Sequence, residues 1–100
     1  MNFIQSMRKS YLKIKGIVTE IGDMVHIKRN GIPDLYKKVL TMKTVDDQVL
    51  YPEVRNSKLK LLEELNVTEG SVIEIEFSFE GSEKNEKRYN NIYINNITKA

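Results

Sequence analysis

The chain has 100 residues, of which 40% are hydrophobic and 30% charged, with no cysteine, one histidine and a net charge of +2. Such a chain makes one soluble domain around one core, and it excludes a disulfide framework, a cysteine zinc site and any two-histidine metal motif. The opening MNFIQSMRKS holds no signal-peptide core, and no apolar run reaches the roughly 18–20 residues of a membrane span, so a cytoplasmic protein with no membrane partner is expected.

Residues 1–10 are expected to form an N-terminal arm and residues 11–98 a single domain. Over residues 11–21 (YLKIKGIVTEI) Leu12 and Ile14 alternate with Lys13 and Lys15, the period of a strand with one buried side. Gly16 breaks that alternation, and a glycine inside a strand marks a bulge or bend. A long, bent first strand can serve both sides of a small barrel. Residues 22–33 carry the breakers of a loop, with a short strand or strand extension over 24–27. Residues 35–45 (LYKKVLTMKTV) form the second main strand. Its buried face stays open between Tyr36, Leu40 and Met42 on one parity and Val39, Thr41 and Lys43 on the other.

After a turn at Asp46-Asp47, residues 48–55 (QVLYPEVR) read as a third strand in which Pro52 demands an edge or a bulge. Leu59, Leu62 and Leu65 then fall at helical spacing over residues 58–65, with Asn56 or Ser57 as N-cap. Residues 71–79 (SVIEIEFSF) are the clearest strand: Ile73, Ile75, Phe77 and Phe79 point to the core, and Glu74, Glu76 and Ser78 away from it. Residues 80–87 (EGSEKNEK) read as a polar hairpin loop. In the last strand, residues 88–97 (RYNNIYINNI), Ile92 and Ile94 share one face and Tyr89 and Tyr93 the other.

Three strands, a short helix and two strands exclude a doubly wound parallel sheet, which needs alternating strands and helices. The order predicts an all-β fold with one short helix: a five-stranded OB-fold barrel, with the helix between strands 3 and 4 plugging one end.

The second half resembles a family of small bacterial or phage OB-fold domains similar to single-stranded DNA-binding proteins. The residues that carry this are Glu53-Val54, the run Lys58-Leu59-Lys60-Leu61-Leu62, Glu69-Gly70 leading into residues 72–77, and Tyr89-Asn90-Asn91-Ile92 with Ile97. Asn95 stands where that family commonly has tryptophan, and the chain ends NNITKA instead of in an acidic, Phe-terminated tail. The resemblance implies binding of single-stranded DNA. The lean toward Lys, Ile and Asn fits an AT-rich bacterial or phage genome.

A single strand is held by a basic groove that tracks phosphates and by rings on which bases stack. In OB barrels that groove crosses strands two and three between the loops joining strands 1–2 and 4–5. The candidates are Lys13 and Lys15 on strand one, Lys28 and Arg29 in the first loop, and Lys37, Lys38 and Lys43 on strand two. Arg55 ends strand three, and Lys84, Lys87 and Arg88 surround the last hairpin. Tyr36, Tyr51 and Tyr93 are the candidate rings, against the plainer reading that tyrosines cap a small core with the hydroxyl in water. Residues 1–50 hold nine Lys/Arg against five Asp/Glu, whereas residues 51–100 hold seven against nine. Glu74 and Glu76 exclude their side of strand four from a phosphate face.

No cofactor and no catalysis are expected. There is no cysteine nucleophile, His26 has no Ser or acidic partner at a motif spacing, and no P-loop is present. Asp34 and Asp46-Asp47 read as turn formers before metal ligands. The expected partner is single-stranded DNA or RNA, bound by a homo-oligomer that supports replication, recombination or repair. The rival is a protein-interaction module that uses the barrel alone. The two part on whether Lys37, Lys38, Tyr51 and Arg88 line one groove.

Overall fold

A computed structural model of the protein describes residues 12–100; the arm expected over 1–10, and Tyr11, lie outside the described residues. The elements are β1 (Leu12–Ile21), β2 (Val25–Ile27), β3 (Leu35–Thr44), β4 (Val49–Leu50) and β5 (Glu53–Arg55), then a 3-10 turn (Asn56–Leu59) running into α1 (Lys60–Glu64), and finally β6 (Val72–Lys84) and β7 (Lys87–Lys99). β1 pairs antiparallel with both β3 and β6, β6 with β7, and β3 with β5. The ring closes where β5 meets β7 in parallel, through the single rung Glu53–Tyr93. The result is the expected five-stranded mixed barrel of OB type, mostly β, with one short helix between barrel strands.

β1 serves both neighbours: Leu12 to Ile17 pair with β6, and Gly16 to Ile21 with β3. At the overlap the backbones approach so closely that a Cβ on Gly16 would lie 2.8 Å from the Lys43 carbonyl oxygen. Gly16 is therefore required for close approach, while the irregularity expected there falls at Thr19, between Val18 and Glu20. Alternation runs unbroken from Ile14 through Gly16 to Val18 on the inner side.

Val18, Leu40, Met42, Val54, Ile73 and Ile75 are fully buried, and Phe77, Ile94 and Ile97 complete the wall around them. Each such side chain contributes roughly 1.5–3 kcal/mol of burial. Pairing to both β1 and β5 settles the ambiguous β3: Leu40 and Met42 point in, Val39 and Thr41 out. Ile94 and Ile97 both face the core because β7 bulges between them. Phe77 pairs with Ile94 and Glu76 with Asn96, leaving Asn95 unopposed, its amide donating to Ser78 Oγ at 2.8 Å.

Leu62 of α1 and Val67 close one end of the barrel, as the leucine spacing implies. Among the described residues, no side chain caps this helix. Asn56 instead accepts a hydrogen bond from the Tyr36 backbone N–H at 3.0 Å, tying the start of β3 to the turn.

Two expectations fail at the last hairpin. Residues 80–87 are not a loop: β6 continues through Lys84 and β7 begins at Lys87, joined by Asn85-Glu86 with φ of 53° and 66°. Positive φ at both central residues is the type I′ geometry whose twist matches paired strands, so the hairpin projects from the barrel as a ribbon. Phe79 keeps core parity, but the barrel has ended by then. The residue is 57% exposed, and its ring meets Phe77 edge-on at 5.6 Å.

Candidate functional site

Among the described residues, β5 and β7 share one rung, and β4 pairs only with β3. Between β4 and the base of the ribbon lies an open cleft of about 350 Å³, walled by Val39, Val49, Tyr51, Glu53, Asn91 and Ile92. Pro52 creates one rim. It breaks the expected third strand into β4 and β5, yet its carbonyl still accepts from Leu40 N–H at 2.9 Å. Tyr51, immediately before it, is 62% exposed.

The other rim is a charged cluster. With Val54 in the core, alternation turns Glu53 and Arg55 outward. Arg55 Nε donates to Glu53 at 2.9 Å, and its two terminal nitrogens donate to the two carboxylate oxygens of Glu80 at 3.0 and 2.9 Å. The guanidinium lies 5.1 Å above the Tyr93 ring centre, a cation–π distance. Lys37 Nζ approaches Glu53 at 3.2 Å, so the carboxylate of this buried residue has two cationic partners. Glu80, and after it Glu53, raise the Arg55 pKa above its ordinary value, and the Arg55 hydrogen bonds hold the Glu80 carboxyl below its own.

Along the ribbon the register fixes one row. The rungs Ser78·Tyr93, Glu80·Asn91, Ser82·Tyr89 and Lys84·Lys87 alternate with the others and therefore share a face. Arg55 with Tyr93, then Tyr89, then Lys84 and Lys87 follow one another along it. Tyr89 and Tyr93 are four residues apart, about 13 Å along an antiparallel strand. Among the described residues, Lys84, Lys87 and Arg88 have no ion-pair partner within 4 Å. Arg88 sits on the opposite ribbon face, across from Glu83.

The remaining candidates disperse. Lys13 pairs with Glu76 at 3.5 Å, and Lys15 stands opposite Glu74, so both share the acidic side of β6. Lys43 approaches Asp47 at 3.4 Å and, with Lys15, flanks a small apolar cleft at Ile17 and Val72. Lys38 follows the inner parity of β3 and emerges at the helix end beside Met24, Leu59 and Leu62. Arg29 folds back onto the Pro33 carbonyl at 2.9 and 2.6 Å, with Lys28 exposed in the same loop. Tyr36 stacks on His26 at 4.3 Å and 7°. Of the four discriminating residues, Tyr51 lines the cleft, Lys37 reaches it only through Glu53, Arg88 lies out on the ribbon, and Lys38 lies at the helix end.

His26 has a partner that spacing did not suggest: Asp34, eight residues on, at 2.8 Å. That hydrogen bond holds the Asp34 carboxyl below its usual range. The pair spans the loop between β2 and β3 and ties the β2–β3 hairpin together. Among the described residues, no three His, Asp or Glu side chains gather as metal ligands would.

Fold and site together define a small OB-type barrel with an open cleft rimmed by Tyr51 and a ribbon carrying rings and cations along one face. Neither a family model nor a curated protein matches the chain. Two residues of this surface escaped the sequence reading. Tyr89 shares parity with Tyr93, a signal present in the sequence. Glu80 joins the site only through a tertiary contact.

Proposed function

We propose that this protein binds single-stranded DNA without sequence preference, laying the strand across β3 and β5 and along the ribbon, in support of replication, recombination or repair. The observation that carries this reading is the row of Arg55 on Tyr93, Tyr89, and Lys84 with Lys87 on one ribbon face, with exposed Tyr51 across the cleft. Rings that accept any base and cations that accept any phosphate form a sequence-tolerant track. Few free cations mean that stacking dominates and that one protomer binds weakly, so a homo-oligomer gains through linked sites.

Anisotropy of a labelled oligo-dT of about 30 nucleotides, at low and physiological salt with duplex DNA and oligo-U as competitors, tests the proposal. Tyr51→Ala and Tyr89→Ala are each expected to lose roughly 1–3 kcal/mol, about 5–150-fold, while Tyr36→Ala on the far side loses little. No binding at low salt would refute it. That outcome favours a protein-interaction module, a reading supported by the neutralisation of Lys13, Lys37, Lys43 and Arg55 by carboxylates.

A further inference from the structure

We propose that Glu80 is a built-in phosphate mimic that occupies the Arg55 guanidinium until a phosphate of the bound strand displaces it. This rests on the single-strand reading above and adds a gate to it. A guanidinium fork presents two parallel donors that fit a carboxylate or a phosphate equally well, and Glu80 fills both positions, at 3.0 and 2.9 Å.

The two carboxylates on Arg55 are not equivalent. Glu53 sits in the barrel wall, its side chain 10% exposed, and is also held by Lys37. Glu80 lies on the ribbon with its side chain 47% exposed, and among the described residues Arg55 is the one hydrogen-bonding partner of its carboxylate. Releasing Glu80 returns a carboxylate to water at small cost, whereas releasing Glu53 would strand a buried charge. Glu80 is therefore the exchangeable partner.

Arg55 also stays aimed when Glu80 leaves. Its Nε remains bonded to Glu53 at 2.9 Å and its Cζ stays 5.1 Å from the centre of the Tyr93 ring. The fork is preorganised for an incoming anion on the face that carries the tyrosine row. With Glu80 in place, Lys37, Arg55, Glu53 and Glu80 balance to zero; with Glu80 displaced, the remaining three carry one positive charge toward the strand. The mask therefore weakens capture of isolated anions and yields to a strand that also stacks on Tyr89 and Tyr51.

The test is oligo-dT anisotropy at several salt concentrations with wild type, Glu80→Gln, Arg55→Ala and the double variant, each checked by its melting curve. Glu80→Gln should bind about three- to tenfold tighter, with a salt slope steeper by about 0.7 for the one extra net charge. The gain should vanish in the Arg55→Ala background, and Glu80→Ala should repeat it. Binding by Glu80→Gln but not by wild type supports the mask in its strongest form. Wild-type binding with Glu80→Gln equal or weaker overturns the mask and leaves single-strand binding standing. No binding by either protein overturns both.

Discussion

Replacing Gly16 by alanine adds one carbon where β1 is gripped by β3 and β6 together. That carbon would sit 2.8 Å from the Lys43 carbonyl oxygen, 3.3 Å from its carbonyl carbon and 3.3 Å from Met42 Cε. Two of the three neighbours are backbone of a paired strand, so relief requires moving β3 rather than turning a side chain. Overpacking of this kind costs about 1–3 kcal/mol. Gly81 supplies the internal reference. It also lies in a strand, and a Cβ there meets nothing nearer than Asn90 Oδ1 at 3.9 Å. Neither glycine has positive φ, so alanine gains roughly 0.4–1 kcal/mol through the unfolded chain at both positions, and the difference isolates the clash. At about 4–8 °C per kcal/mol for a chain of this size, Gly16→Ala should melt about 10 °C below Gly81→Ala. Far-UV circular dichroism melts, with urea midpoints at unchanged slope, give the comparison. Melting within about two degrees of each other would refute the close-approach argument.

Two further outcomes follow from the cluster and the ribbon. The folded Glu80 carboxyl lies below its ordinary value through Arg55, so its pairing stabilises the protein above that ordinary value and is lost as pH falls through the folded one. The melting temperature of wild type should accordingly drop more than that of Glu80→Gln between roughly pH 5 and pH 3, and parallel curves would sink the reasoning. Glu86 holds φ at 66° in the second central position of a type I′ turn, where glycine is preferred. Glu86→Gly should stabilise the ribbon by about 0.5–1 kcal/mol, seen as slower amide exchange at the ribbon tip with little change in global melting.

The alternation around Ile73 and Ile75, the leucines of α1 and the breaks at Pro52 and Asp46-Asp47 carried the barrel and its helix in the sequence. β3 was harder to read, because Val39 beside Leu40 gives each parity an apolar residue; pairing with two neighbours decides it. Phe79 illustrates another limit. A period of two says which side a residue takes but not where the barrel stops, and past that point the inner side is solvent. The same continuation of inner parity carries Tyr36 and Lys38 away from the face where Lys37 lies. Polar composition hid the ribbon, since Glu80 to Lys84 form a strand by pairing with β7 and not by propensity. At the site, the tyrosines and cations could be listed by type, but the Arg55–Glu80 clasp joins residues on separate strands that no local pattern connects.

The bulge at Asn95, which brings Ile94 and Ile97 onto one side, also bears on how the protein comes into being. Ile73, Ile75, Phe77, Ile94 and Ile97 belong to β6 and β7, so β1, β3 and β5 can pair with one another before much of the core wall exists. β6 and β7 can zip together locally through their short turn, on the microsecond scale of a hairpin. β1 and β5 must then find partners synthesised long after them. Until β6 and β7 are in place, Val18, Leu40, Met42 and Val54 lack the wall of isoleucines that completes their cover. Closing the core therefore waits on the β6–β7 hairpin, whatever pairs before it.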